Sequence, residues 1–266
     1  MKRVFCCLMA AVLLLGAAGC AARVSPIDAE STAQPAVTQS DAPSASEPPA
    51  AEVIVFDDAV LESLVRAAIG KPEGDITNAD AEQVTDLELS QQGVDPNQPY
   101  IHNLSALQYF KNLTYLGLGY AVQNADDPMA PVDISPLAGL TKLESLQMGG
   151  IVIDDLSAVS GMHNLIGLTV FNGEQALDLS PLAGMTNLQA LTLRNNKITD
   201  ITPLAGLKNL TYLDLEGNQI TDVTPLASMT RLNRLFLSGN PISDFSSLAE
   251  VRSDLEEWDF QVQPQS

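Results

Sequence analysis

Apolar residues recur in the C-terminal half of the chain in one phrase, L-x-x-L-x-L-x-x-N, which opens at Leu188, Leu210 and Leu232. The spacing is 22 residues each time. Within the phrase, apolar and polar positions alternate, which predicts a short strand with one buried face. Leu191 and Leu193 then point into a core, and Thr192 points away from it. Asn196, Asn218 and Asn240 stand where each strand ends, and their amides are placed to bond backbone groups of neighbouring turns. Ile198, Ile220 and Ile242 return to the core. Thr202 before Pro203, and Thr224 before Pro225, predict a helix cap followed by proline at the first helical position.

Traced backward, the register loosens but holds. Turns open at Leu165, Leu143, Leu113 and Val84, with lengths of 23, 22, 30 and 29 residues in that order. Forward, Leu255, Trp258 and Phe260 form a last strand-like piece. This gives eight strand positions and about seven complete turns over residues 84–260. A period of about 20–29 residues with this pattern is the signature of a leucine-rich repeat. One repeat cannot bury its own apolar face, so repeats stack. The expected fold is an α/β solenoid: a horseshoe with a parallel β-sheet on its concave face and short helical or 3-10 turns on its convex face. Near the asparagine position the earlier turns carry Gln92, Ala121, Ile151 and Gly173, which predicts a less regular middle.

The ends of a solenoid expose core and need caps. Residues 53–83 are read as an N-terminal helical cap. Asp57 or Asp58 caps a helix running to about Ile69, whose apolar face carries Val60, Leu61, Leu64, Val65, Ala68 and Ile69. Gly70 and Pro72 end it. Thr77 with Asp80 approximates a capping box for a second short helix. Trp258 and Phe260 are read as shields over the last turn, before a tail at 261–266.

Composition adds location. Lys2 and Arg3, an apolar run from Val4 to Leu15 and then Gly16-Ala17-Ala18-Gly19-Cys20 read as a secretory signal over 1–19. Cysteine directly after Ala-Ala-Gly resembles a bacterial lipoprotein signal with lipid on Cys20; an ordinary signal peptide is the alternative. The apolar run is too short for a retained span. The other cysteines, Cys6 and Cys7, lie in the signal, so no disulfide or thiolate metal site is expected. Residues 20–52, rich in Ala, Pro, Ser and acid, are read as a disordered tether. The expected location is the bacterial cell envelope, lipid-anchored and extracytoplasmic, touching membrane only through that lipid. The formal charge is −20, which argues against nucleic acid or anionic lipid as partner.

The helical piece FDDAVLESLVRAAIGKPEGDITNADAEQVTDLELS, followed by 22-residue repeats with I-x-D-I-x-P-L-A-x-L, resembles the internalin-type bacterial leucine-rich repeat proteins over about residues 53–260. The resemblance implies a curved, surface-exposed binding domain. The chain departs from that family in its anchor, which would be an N-terminal lipid.

Outward strand positions supply the candidate binding residues: Tyr115, Phe171, Arg194, Tyr212, Asp214, Glu216, Arg234 and Phe236. Tyr212, Phe236 and Arg234 should lie close together, since adjacent strands are ~4.8 Å apart, and aromatics with arginine are the usual composition of binding hot spots. Gly117, Gly119, Gly149 and Gly167 predict a shallow depression on the middle strands. Two long loops, 93–103 and 120–133, map to one edge and bring Tyr100, His102, Tyr120 and Met129 as a second candidate site. A column of Asp133, Asp155, Asp178, Asp200, Asp222 and Asp244, with Asn103 at the matching place, suggests calcium or one Asx-turn per repeat; the Asx-turn is the better reading. His102 and His163 are not at metal spacing, and there is no phosphate loop or nucleophile elbow. No cofactor and no enzyme activity are expected. The reading is a monomeric, surface-anchored module that binds a protein through its concave face. The alternative is an envelope-associated protein that binds cell-wall glycan or another envelope protein.

Overall fold

The structure, a computed structural model, describes residues 52–90, 99–173 and 176–260. The segments read as signal, lipidated Cys20 and tether lie outside the described residues up to residue 51. So do most of the first long loop and the tail. Eight short strands form one parallel sheet in sequential order. They are β1 (Asp86–Glu88), β2 (Tyr115–Gly117), β3 (Ser145–Gly149), β4 (Gly167–Phe171), β5 (Ala190–Thr192), β6 (Tyr212–Asp214), β7 (Arg234–Phe236) and β8 (Glu257–Trp258). Each turn after a strand leads to a 3-10 segment, such as Thr202–Gly206, before the next strand begins. This is the leucine-rich repeat architecture, with the sheet on the concave side.

Register follows the leucine pattern. Leu87, Leu116, Leu146, Leu168, Leu191, Leu213, Leu235 and Trp258 are paired in line across the sheet. The seven leucines of that row are buried, as are the following apolar residues Leu118, Met148, Val170, Leu193, Leu215 and Leu237. The core is therefore a set of stacked apolar rows, each turn burying the face of the one before it.

Two rows of asparagine tie the turns together. Asn218 donates to the carbonyls of Leu193 and Leu215, both at 2.8 Å, and its Oδ1 accepts from the Asn196 and Ile198 amides. Asn196 likewise donates to Val170 and accepts from Gly173, and Asn240 donates to Leu215 and Leu237. The second row went unread in the sequence. Asn112, Asn164, Asn187 and Asn209, each just before the first leucine of a strand phrase, donate to the carbonyls of Glu82, Thr141, His163 and Thr186 in the preceding turn. Their recurrence at the repeat period was the available signal.

A further column has left-handed backbone. Tyr120, Gly150, Asn172, Asn195, Gly217 and Gly239 follow the strands with φ between 57° and 73°. Glycine and asparagine adopt this conformation cheaply. Tyr120 is the exception, and its ring crosses the space a side chain on Gly150 would need.

The 3-10 turns correct one expectation. Thr202 and Thr224 do not cap helices; each is the first residue of a 3-10 segment without a side-chain cap at its own start. The preceding aspartate fills that role from outside. Oδ1 of Asp133, Asp155, Asp178, Asp200, Asp222 and Asp244 accepts the amide two residues on at 2.7–2.9 Å, and Asn103 does the same for Ser105. These are Asx-turns. Bonds from Ser180 hold the Asp178 carboxyl below its usual range, as bonds from Thr202 do for Asp200.

The middle of the array also differs from expectation. Asparagine is missing there, yet β3 and β4 are the longest strands and pair over five positions. Backbone pairing carries on through Gly149 and Phe171, so the sheet does not need the side-chain ladder at that point.

The N-terminal cap contains α1 (Ala59–Ile69) and α2 (Asn78–Ala81). Asp58, not Asp57, caps α1, accepting from the Val60 and Leu61 amides, and Gly70 ends the helix in left-handed conformation. The same carboxylate accepts from the His102 and Asn103 amides at 2.7 and 3.1 Å, which joins the cap to the first long turn. Thr77 and Asp80 form a capping box. Bonds from Lys71 and Thr77 lower the Asp80 pKa to about 2. At the other end α3 (Ala249–Arg252) follows the last 3-10 segment. Phe260 is buried and stacks on Phe245 with centroids 5.1 Å apart. Trp258 lies beyond Leu235 in the core row but is 41% exposed, with the Arg252 guanidinium 5.8 Å from its ring centroid.

Candidate functional site

The outward side chains of the sheet fall into three groups. The first is at the C-terminal end. Tyr212 on β6 and Phe236 on β7 stand diagonally across adjacent strands, with ring centroids 5.7 Å apart at 51°. Such pairs contribute about 0.5–1.5 kcal/mol beyond area burial. Beside them Arg194, just past β5, places Nη2 2.6 Å from Asp214 and 2.9 Å from Glu216. The Tyr212 hydroxyl is 3.5 Å from the Asp214 carboxylate.

Asp214 is a correction. Strand alternation puts it among the outward contact residues, but it is only 1% exposed. Its carboxylate also accepts from the Glu216 amide, so it lies beneath its neighbours and positions them. Burial works against charge on Arg194, but Asp214 and Glu216 outweigh it and raise the pKa of the guanidinium. Burial, then the nearby Asp214 charge, pushes the Tyr212 phenol up. The arginine that completes this group is Arg194. Arg234 is next to Tyr212 in register but forms an ion pair with Glu257 at 3.4 Å.

The second group holds Tyr115 and lies four strands away at the N-terminal end. Its hydroxyl donates to Glu88 on β1. Burial works against the Glu88 charge, yet bonds from Ser90 and Tyr115 hold its carboxyl below its usual range. The third group is Phe171 at the end of β4, packed edge to face on Tyr120 at 5.9 Å. The structure therefore brings together Arg194, Tyr212, Asp214, Glu216 and Phe236, with Arg234 alongside. Tyr115 and Phe171 stand apart from them and from each other.

The glycine depression is largely filled. A side-chain carbon on Gly117 would strike the Glu88 carboxylate, and one on Gly149 would strike the Phe171 ring. Gly119 lies against Ser90, and only Gly167 has ordinary clearance. These glycines accommodate large neighbours that lean across the sheet. The edge loops are joined by an isolated parallel bridge between Ile101 and Val122, and His102 Nδ1 lies 2.8 Å from the Gln123 carbonyl oxygen. Tyr120, expected in the edge site, instead turns onto the sheet beside Phe171. Met129 is 55% exposed on the loop, which Asn124 braces by bonds to Pro131, Asp126 and Asp127. Among the described residues no cluster of side chains is arranged to hold a metal ion, and no helix is long and apolar enough to cross a membrane.

The family model for Leucine Rich repeats (2 copies) matches residues 186–228 and 208–250. No curated protein sequence matches the chain. An internalin C2 structure from Listeria monocytogenes is 29% identical, covering 80% of this chain and 99% of that one with a TM-score of 0.56. An internalin structure from the same organism, inlF, is 31% identical over 79% of this chain and 71% of that one, with a TM-score of 0.48. The chain carries leucine-rich repeats, and its fold is similar to that of internalin C2.

Proposed function

We propose that this chain is a surface-anchored, non-enzymatic module that recognises a partner protein through the C-terminal half of its concave sheet. The observation that carries this reading is the Tyr212–Phe236 pair beside an arginine held by Asp214 and Glu216. Aromatic side chains offer large contact area, and arginine with aromatics dominates measured interface energetics. Fixing Arg194 by two carboxylates lowers the entropy lost when a partner docks. The internalin-like fold supports protein binding as the general role, and repeat solenoids offer the extended concave surface that such binding uses.

Capture from host-cell and envelope extracts tests this reading. The full chain is compared with a Tyr212→Ala, Phe236→Ala variant of matched thermal stability. The double truncation should weaken retention of the partner by about 2–4 kcal/mol, roughly thirtyfold or more in affinity. A partner retained equally by both proteins contradicts recognition at this site.

The anchor is proposed to be lipid on Cys20, on the strength of the basic start, the short apolar run and Ala-Ala-Gly-Cys. Metabolic labelling with a radioactive fatty acid is the check. Label in the wild type and none in Cys20→Ser is the expected pattern, with Cys20→Ser leaving the membrane fraction. Unlabelled wild-type protein would sink the proposal.

A further inference from the structure

The described outward positions of the sheet carry two basic side chains, Arg194 and Arg234, and both are already neutralised. Arg194 is held by Asp214 and Glu216, and Arg234 faces Glu257. An acidic partner would have to displace those carboxylates before it could use either guanidinium. Around the same aromatic pair, carboxylates remain in excess. Asp259 lies beside Phe236 on the next strand position, with its oxygens accepting the Leu237 and Ser238 amides, which leaves its negative charge in place. Glu257, the first residue of β8, is exposed beside Arg234. Two guanidinium groups therefore face four carboxylates: Asp214, Glu216, Glu257 and Asp259. The patch is a half-buried aromatic pair with an acidic border.

Resting on the concave-face reading above, we infer that the partner presents a basic polypeptide surface, lysine or arginine flanking an apolar side chain that packs on Tyr212 and Phe236. The rings supply the contact area, and the surplus carboxylates select the charge of what surrounds it. Complementary potential of this kind speeds encounter and suppresses wrong partners, and it weakens with salt. The contact is with protein; the same border repels anionic glycans and anionic lipid headgroups.

The test is selection of a displayed random peptide library against the immobilised full chain. Enriched peptides are then titrated onto wild type, Phe236→Ala and Glu257→Gln. Glu257 is exposed, so its neutralisation leaves the core intact, and matched thermal melts check this. The expected peptides carry net positive charge beside an aromatic or aliphatic residue and lose binding on Phe236→Ala. They bind the glutamine variant on the order of tenfold more weakly at low salt, with the difference shrinking at high salt. Neutral or acidic peptides that still require Phe236 would overturn the basic partner while leaving the concave site standing. Peptides indifferent to Phe236, or an absence of enrichment, would overturn both.

Discussion

Asn218→Ala should lower the stability of the repeat array by about 4 kcal/mol. Asn218 is 4% exposed and its amide uses both ends. The nitrogen donates to the Leu193 and Leu215 carbonyls, and the oxygen accepts from the Asn196 and Ile198 amides. Removing it leaves buried backbone groups of two turns without partners. Each orphaned buried group costs about 1–3 kcal/mol, and water entering the small void recovers part of that. Gln219, exposed and next in sequence, serves as the control; Gln219→Ala should stay within about 0.5 kcal/mol of wild type. Urea unfolding measures both. Because a solenoid is held by nearest-neighbour contacts, the Ile198 amide should also lose hydrogen-exchange protection before distant strands do. A loss under about 1 kcal/mol for Asn218→Ala would mean the ladder contributes little.

Asp58→Ala should cost about 4–7 kcal/mol. Loss of a helix N-cap alone costs about 1 kcal/mol. Here the second carboxylate oxygen also accepts from His102 and Asn103, across 44 and 45 residues of sequence. Hydrogen bonds to a charged group contribute about 1.5–3 kcal/mol each, and these two fix the cap against the first long turn. Asp58→Asn separates the two roles. Its single carbonyl oxygen can keep the α1 cap, but its NH2 then faces the His102 and Asn103 amides, donor against donor. The asparagine variant should recover about 1 kcal/mol and no more. Denaturant midpoints for the three proteins decide the matter; an asparagine variant as stable as wild type would show that the long-range pair is unimportant.

What was legible in the sequence follows from what a period can encode. Spacing of leucines fixed which residues share a row, so Tyr115, Ser145, Gly167, Ala190, Tyr212, Arg234 and Glu257 are paired in the order their positions imply. Alternation gives the direction of a side chain but not what leans over it. That is why Asp214 points outward and is still buried under Arg194 and Tyr212, and why glycines on the middle strands mark occupied space. Choice between Arg194 and Arg234 as the partner of the aromatic pair was equally hidden. It depends on which carboxylate each guanidinium reaches, and Glu257 on β8 takes Arg234. The role given to Thr202 went to Asp200 because the 3-10 turn starts at Thr202 itself, one residue earlier than a threonine cap would place it. The asparagines before the first leucines at Leu113, Leu165, Leu188 and Leu210 are legible in the sequence, since they hold one position of the repeat.

The concave sheet near Phe236 is the surface proposed to meet a partner protein. A photo-crosslinking amino acid at Phe236, with a second variant carrying it at exposed Lys208 in the run between the Thr202–Gly206 segment and β6, is the decisive comparison. Irradiation in native envelope and host-cell extracts should yield a discrete protein adduct from position 236 and none from position 208. Adducts from position 208 alone, or an adduct at 236 that proves to be glycan, would contradict it.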